Sequence, residues 1–123
     1  LVEDELINRT LAMEILVREG WRIKCAENGQ EALHMIENHT VDLILMDVQM
    51  PELDGYATTR AIRAREKRLQ SGHIPIIAMT AYAIVGDKEK CLAAGMDGYI
   101  SKPINLDQIR LEILRVLGKS TMS

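Results

Sequence analysis

Two hydrophobic periodicities alternate along the chain. From Leu6 to Glu19 apolar residues recur at helical spacing, with Ile7, Leu11, Ile15 and Leu16 on one face and Gly20 as the stop. Trp21 to Ala26 alternates in the manner of a strand, Asn28-Gly29 turns the chain, and Gln30 to Asn38 returns to helical spacing. Leu43-Ile44-Leu45-Met46 is a continuous apolar run closed by Asp47, the pattern of a strand buried on both faces. Asp54-Gly55 opens a helix that runs to about Arg68. Ile74 to Met79 is a second buried run, with Pro75 tolerated near its start. A weaker helix spans about Val85 to Ala94 and closes at Gly95. Gly98 to Ser101 is a short strand, and Asn105 then caps a helix whose inner face is Leu106, Ile109, Ile113 and Val116.

Strands that alternate with helices of this length predict right-handed βαβ units and a parallel sheet. The pattern gives four full strands and five helices, with Leu1-Val2 as the tail of a fifth strand. No repeat, linker or second domain is visible. One domain is expected over residues 1–118, with 119–123 a tail or the start of a linker.

Composition narrows the function. A chain of 123 residues is one domain's worth, and a net charge of −3 offers no clustered positive excess for nucleic acid. There is no Phe, and Trp21, Tyr56, Tyr82 and Tyr99 are the only aromatics, so the core is aliphatic and lacks stacking platforms for single strands. The stretch from Gln70 to Gly86 lacks Asp, Glu, Lys and Arg but is interrupted by Ser71, Gly72, His73 and Pro75, which argues against a membrane span. No charged-then-apolar leader opens the chain, so the cytoplasm is the expected location. Cys25 and Cys91 have no CxxC spacing and are expected as small buried side chains in a reducing compartment. His34, His39 and His73 show no ligand spacing, and the basic run Arg60, Arg63, Arg65, Lys67, Arg68 reads as a solvated face.

In an open parallel sheet, ligands bind outside the carboxyl ends of the strands. Glu3 and Asp4 follow the first strand, Asp47 the third, Thr80-Ala81 the fourth and Lys102-Pro103 the fifth. Singly these are ordinary: a carboxylate caps a helix, a threonine forms a turn, Lys-Pro is a loop dipeptide. Together they put three acids, a hydroxyl and an amine on one edge. Clustered carboxylates resist simultaneous ionisation unless a cation neutralises them, and Mg²⁺ suits such oxygen donors. A lysine and a hydroxyl beside it match the oxygens of a transferring phosphoryl group. Neither GxxxxGK[ST] nor GxGxxG is present, so a nucleotide is not the obvious donor.

Val2-Glu3-Asp4, MDVQMPELDGY at 46–56, AMTAYA at 78–83 and GMDGYISKPI at 95–104 resemble the receiver domain of two-component response regulators. The resemblance covers nearly the whole chain and is greatest to receivers of hybrid sensor histidine kinases. It implies a flavodoxin-like, doubly wound sheet of five parallel strands in the order 2-1-3-4-5 with five helices, the first strand being truncated in this chain. Asp47 would be the phosphoacceptor, a nucleophile taking a phosphoryl group from a phosphohistidine. Asp4 and Asp47 would ligate Mg²⁺ (Mn²⁺ being able to substitute), with Glu3 acting through water and the backbone carbonyl of Gln49 completing the set. Lys102 would pair with Asp47 and later with a phosphoryl oxygen. Thr80 and the backbone N–H of Ala81 would bond the other oxygens, and Tyr99 would be the switch residue. A cis Lys102–Pro103 bond would aim the lysine.

The resemblance implies a signalling switch, not an enzyme in its own right beyond self-catalysed phosphoryl uptake and hydrolysis. The parent chain would be a hybrid histidine kinase, membrane-anchored in some cases, or a response regulator. Partners would be a histidine kinase or a histidine-phosphotransfer domain, and a second copy through the face built by the fourth helix, fifth strand and fifth helix. Contact of this domain with nucleic acid or membrane is not expected. Two other readings compete. A haloacid-dehalogenase-like phosphatase also uses an aspartate nucleophile and Mg²⁺, but it wants Asp-x-Asp where Asp47 is followed by Val48-Gln49, and a cap domain for which there is no room. A degenerate receiver used only for docking would fail to take a phosphate or a beryllofluoride adduct.

Overall fold

The computed structural model describes residues 1–48, 54–80, 87–102 and 104–122. Three parallel strands, β1 (Ile44–Asp47), β2 (Ile76–Thr80) and β3 (Gly98–Ser101), lie in the order β1-β2-β3, with Ile44 opposite Ile76 and Ile77 opposite Gly98. They are the third, fourth and fifth strands of the sequence pattern. The helices are α1 (Leu6–Arg18), α2 (Gly29–Asn38), α3 (Gly55–Leu69), α4 (Asp87–Ala94) and α5 (Leu106–Met122), the last continuing past Gly118.

Alternation along the strands decides which helices cover which face. Ile44, Met46, Ile76 and Ala78 meet Ala32, Ile36, Ile62 and Cys91 of α2, α3 and α4. Leu45, Ile77, Met79 and Ile100 meet Leu16, Ile109, Ile113 and Val116 of α1 and α5. Every residue of β1 and β2 is buried, as helices on both faces require. Side-chain caps start three of the helices: Asn28 accepts from the Glu31 amide at 2.8 Å, Asp54 from Ala57 at 2.8 Å, and Asn105 from Asp107 at 2.9 Å. Each is worth about 1 kcal/mol.

The expected strand over Trp21–Ala26 is reduced to one bridge. Val2 pairs in parallel with both Ala26 and Met46, which lays Leu1–Glu3 between Ala26 and β1. The Leu1 nitrogen and carbonyl also meet the Lys24 carbonyl and the Ala26 amide, at 3.0 and 2.9 Å. Among the described residues the sheet is three strands plus two single-residue bridges. A groove of about 720 Å³ opens there, lined by Leu16, Ile23, Ala32, Ile36, Leu43 and Ile113. The Leu1 nitrogen lines it too, donating to the Lys24 carbonyl at 3.0 Å.

Helix α1 buries Leu16 of the expected face but turns Ile7 and Leu11 outward. Ala12 and Leu16 are buried, whereas Ile7 is 67% and Leu11 54% exposed. Leu6, Val17 and Met13 make the helix apolar on nearly every side, so spacing alone selects no face, and the small Ala12 marks the close contact. Cys91 is buried, but Cys25 is only half-buried, its sulfur 3.1 Å from the Met13 sulfur.

Arg63 also departs from the solvated basic face. Its guanidinium donates to the Gly95 carbonyl, Glu66 and Asp97, each at 2.8 Å. Glu66 and Asp97 in turn accept from the amides of Ile74 and Ile76 at 2.8 Å, and His73 meets Asp97 at 2.7 Å. This network fastens α3 to the entries of β2 and β3, at the sheet edge opposite the carboxyl ends.

Candidate functional site

Strand ends bring the expected residues together. Asp47 closes β1, Thr80 closes β2, and Lys102 follows β3; Asp47 and Thr80 are each 1% exposed. Glu3 reaches the same place because Val2 is bridged to Met46, with the Asp47 amide donating to the Val2 carbonyl at 3.0 Å. The Lys102 ammonium lies 3.0 Å from Asp47 Oδ2 and 3.3 Å from both carboxylate oxygens of Glu3. Asp4 is exposed, yet one oxygen from each of Glu3, Asp4 and Asp47 falls within 4.8 Å of the others.

One ammonium faces three carboxylates, and the electrostatics record the imbalance. The Glu3 carboxyl is pushed up to about 7, first by burial, then by its hydrogen bond to Asp47 and the charge of Asp47, with Lys102 pulling the other way. Burial alone would lower Lys102, but hydrogen bonding to Asp47 and the charges of Asp47 and Glu3 outweigh it and hold the ammonium above its ordinary value. The Glu3 carboxyl therefore holds its proton to higher pH than an ordinary glutamate. A divalent cation bound by the three acids would take the place of that proton, and an all-oxygen donor set suits a hard ion.

Two positioning features emerge only in three dimensions. Arg9 on α1 donates to the Glu3 carbonyl at 3.0 Å and pairs with Glu27 at 3.5 Å, fixing the backbone that carries the acids. An arginine seven residues beyond Val2 gives no such signal in the sequence. Gly55 lets the start of α3 lie against the nucleophile strand: a Cβ there would stand 2.4 Å from the Asp47 carbonyl oxygen and 2.7 Å from the Val48 Cα. The Asp54-Gly55 pair was legible as a helix start, but this close approach was not.

Tyr99 is half-buried and packs on the core face shared by α2, α3 and α4. The Gln49 carbonyl, Pro51, the Ala81 N–H and the Lys102–Pro103 bond to Pro103 lie outside the described residues.

The model of the response regulator receiver domain family matches residues 1–114. The chain is 46% identical over 110 residues to hybrid signal transduction histidine kinase I of Dictyostelium discoideum, covering 85% of this chain and 6% of that protein. It is 38% identical over 141 residues to probable histidine kinase 4 of Oryza sativa subsp. japonica, covering 100% of this chain and 14% of that one. Among solved structures, it matches the receiver domain of a sensor histidine kinase from Pseudomonas aeruginosa PAO1 that has magnesium coordinated in its active-site cleft, with a TM-score of 0.82, 40% identity, and 95% and 93% of the two chains covered. It also matches a Saccharomyces cerevisiae complex of the histidine phosphotransfer protein Ypd1 with the receiver domain of Ssk1, at a TM-score of 0.83 and 31% identity, covering 94% of this chain and 88% of that one.

Proposed function

The chain belongs to the response regulator receiver domain family, and from that premise we propose that Asp47 accepts a phosphoryl group from a phosphohistidine in a phosphorelay. The observation that carries this reading is the contact of Asp47 Oδ2 with the Lys102 ammonium at 3.0 Å inside an acidic cluster at the sheet's carboxyl edge. A carboxylate oxygen of Asp47 attacks phosphorus, a P–O bond forms as the P–N bond breaks, and the electron pair leaves with the imidazole. Lys102 neutralises charge on an equatorial oxygen, and the Thr80 hydroxyl and Ala81 N–H donate to the others.

Glu3, Asp4, Asp47 and the Gln49 carbonyl are the groups that would hold Mg²⁺, with Glu3 acting through water; Mn²⁺ meets the same donors. The ion would supply charge neutralisation for carboxylates and phosphoryl oxygens together. The cluster fits it, because its donors are all oxygen and its buried acid is held above the usual carboxylate range.

The parent protein is a hybrid sensor histidine kinase in this reading, supported by the kinases of which the chain spans 6% and 14%. Cys25 and Cys91 are not joined in a disulfide, which fits a cytoplasmic domain. Its partners are a histidine kinase or a histidine-phosphotransfer domain. Exposed Leu6, Ile7 and Leu11 on α1 give such a donor an apolar surface beside the acids. Once Asp47 is phosphorylated, a second copy would pack on the side chains of the α4–β3–α5 face, where Tyr99 and Thr80 would relay the change. Catalysis beyond phosphoryl uptake and loss is not part of the proposal. Incubation with acetyl phosphate and Mg²⁺ should give an alkali-labile mass increase that Asp47→Asn abolishes. Undiminished labelling of that variant would overturn the assignment, and turnover of a generic phosphomonoester would favour the phosphatase reading.

A further inference from the structure

β3 pairs on one side only among the described residues, so its other side is an open edge. In a parallel strand the N–H and C=O of one residue point the same way and alternate from residue to residue. The Lys102 amide donates to the Thr80 carbonyl at 2.8 Å, so even-numbered residues of β3 face β2 and the Tyr99 amide faces outward. That amide does not meet solvent. It donates to Glu112 Oε2 of α5 at 2.9 Å. Two residues earlier, the Asp97 carbonyl accepts from Arg115 Nη2 at 3.0 Å. Glu112 and Arg115 are themselves paired at 2.5 Å.

A two-fold-related strand would lie antiparallel, and the two residues flanking the one opposite Gly98 would donate to the Asp97 carbonyl and accept from the Tyr99 amide. Arg115 and Glu112 do this around Gly98 with side chains. Gly98 makes it feasible, since a Cβ there would stand 2.9 Å from both Arg115 Nη2 and Glu112 Oε2. Unpaired edge groups invite pairing with another chain, and proteins block them with local devices.

We infer that the Glu112–Arg115 pair is a side-chain stand-in for a neighbouring strand, which closes the β3 edge and keeps it from pairing with the β3 edge of a second copy of this chain. The occupant it excludes is a second copy because an edge is self-complementary under two-fold symmetry, each strand offering the other the same donors and acceptors.

Amide hydrogen exchange and sedimentation of unphosphorylated Glu112→Ala test this, a state in which the α4–β3–α5 face is not switched. Relative to the wild type, the Tyr99 amide should exchange at least tenfold faster while Ile100, paired to β2, keeps its rate. The variant should also gain mass with concentration, towards a dimer. Glu112→Gln, which keeps an acceptor oxygen, should restore the slow amide and the monomer. If Glu112→Ala does not fold, Gly98→Ala displaces the same pair with both charges intact and should give the same two changes. An unchanged Tyr99 amide, or a variant that stays monomeric at millimolar concentration, overturns the inference.

Discussion

Replacing Glu3 by Gln removes an acid that the fold holds protonated near neutrality. The folded carboxyl titrates at about 7 against a reference of 4.5. A raised acid favours the fold while it is protonated, and that contribution fades as pH climbs from the unfolded value through the folded one. At about 1.4 kcal/mol for each tenfold, the metal-free protein should lose about 3 kcal/mol through this group between pH 4.5 and 7. Glu3→Gln cannot lose it. The side chain is 1% exposed, so solvent screens little of the effect. Urea unfolding of both proteins in a chelator, across that pH range, reads the contribution of Glu3 together with its coupling to Asp47 and Lys102. The stability difference should swing by about 3 kcal/mol in favour of the variant as pH rises. Parallel curves would refute the account of a crowded acidic pocket. Millimolar Mg²⁺ should stabilise the wild type at pH 7 by mass action and stabilise the variant less.

Gly55→Ala should cost about 1–3 kcal/mol in unfolding free energy, through overlap with the Asp47 carbonyl, while Gly72→Ala, with nothing within 4 Å, should not. Thr80→Ala should still take phosphate at Asp47 but shift the NMR signals of Tyr99 and the α4–β3–α5 face much less on beryllofluoride addition; a full wild-type shift pattern would remove the threonine from the relay.

What the sequence disclosed was governed by local chemistry. The runs ending at Asp47 and Thr80 are apolar throughout because both faces of β1 and β2 are covered, so strands and site appear together in one dimension. The convergence of Glu3, Asp47 and Lys102 follows from a parallel sheet's putting every strand's carboxyl end on one side. Long-range contacts stayed hidden. Arg63 reads as one cation of a solvated run because its partners Gly95 and Asp97 lie more than thirty residues on. Ile7 and Leu11 of α1 face outward, unlike Leu16, because apolar side chains surround that helix, and the strand expected over 21–26 is reduced to the bridge of Ala26 to Val2.

The Arg63 network has a mechanical meaning. It grips β2 at Ile76, whose amide is held by Asp97, and leaves Thr80 four residues away at the other end. At roughly 3.3 Å per residue that is a lever of about 13 Å. A strand clamped at its root cannot slide along its axis, so a 1 Å displacement at the tip amounts to a tilt of about 4°. β3 is tied to β2 rung by rung and must swing with it. The sheet is thus held like a cantilever at its amino edge, with Thr80 at the far end of the lever.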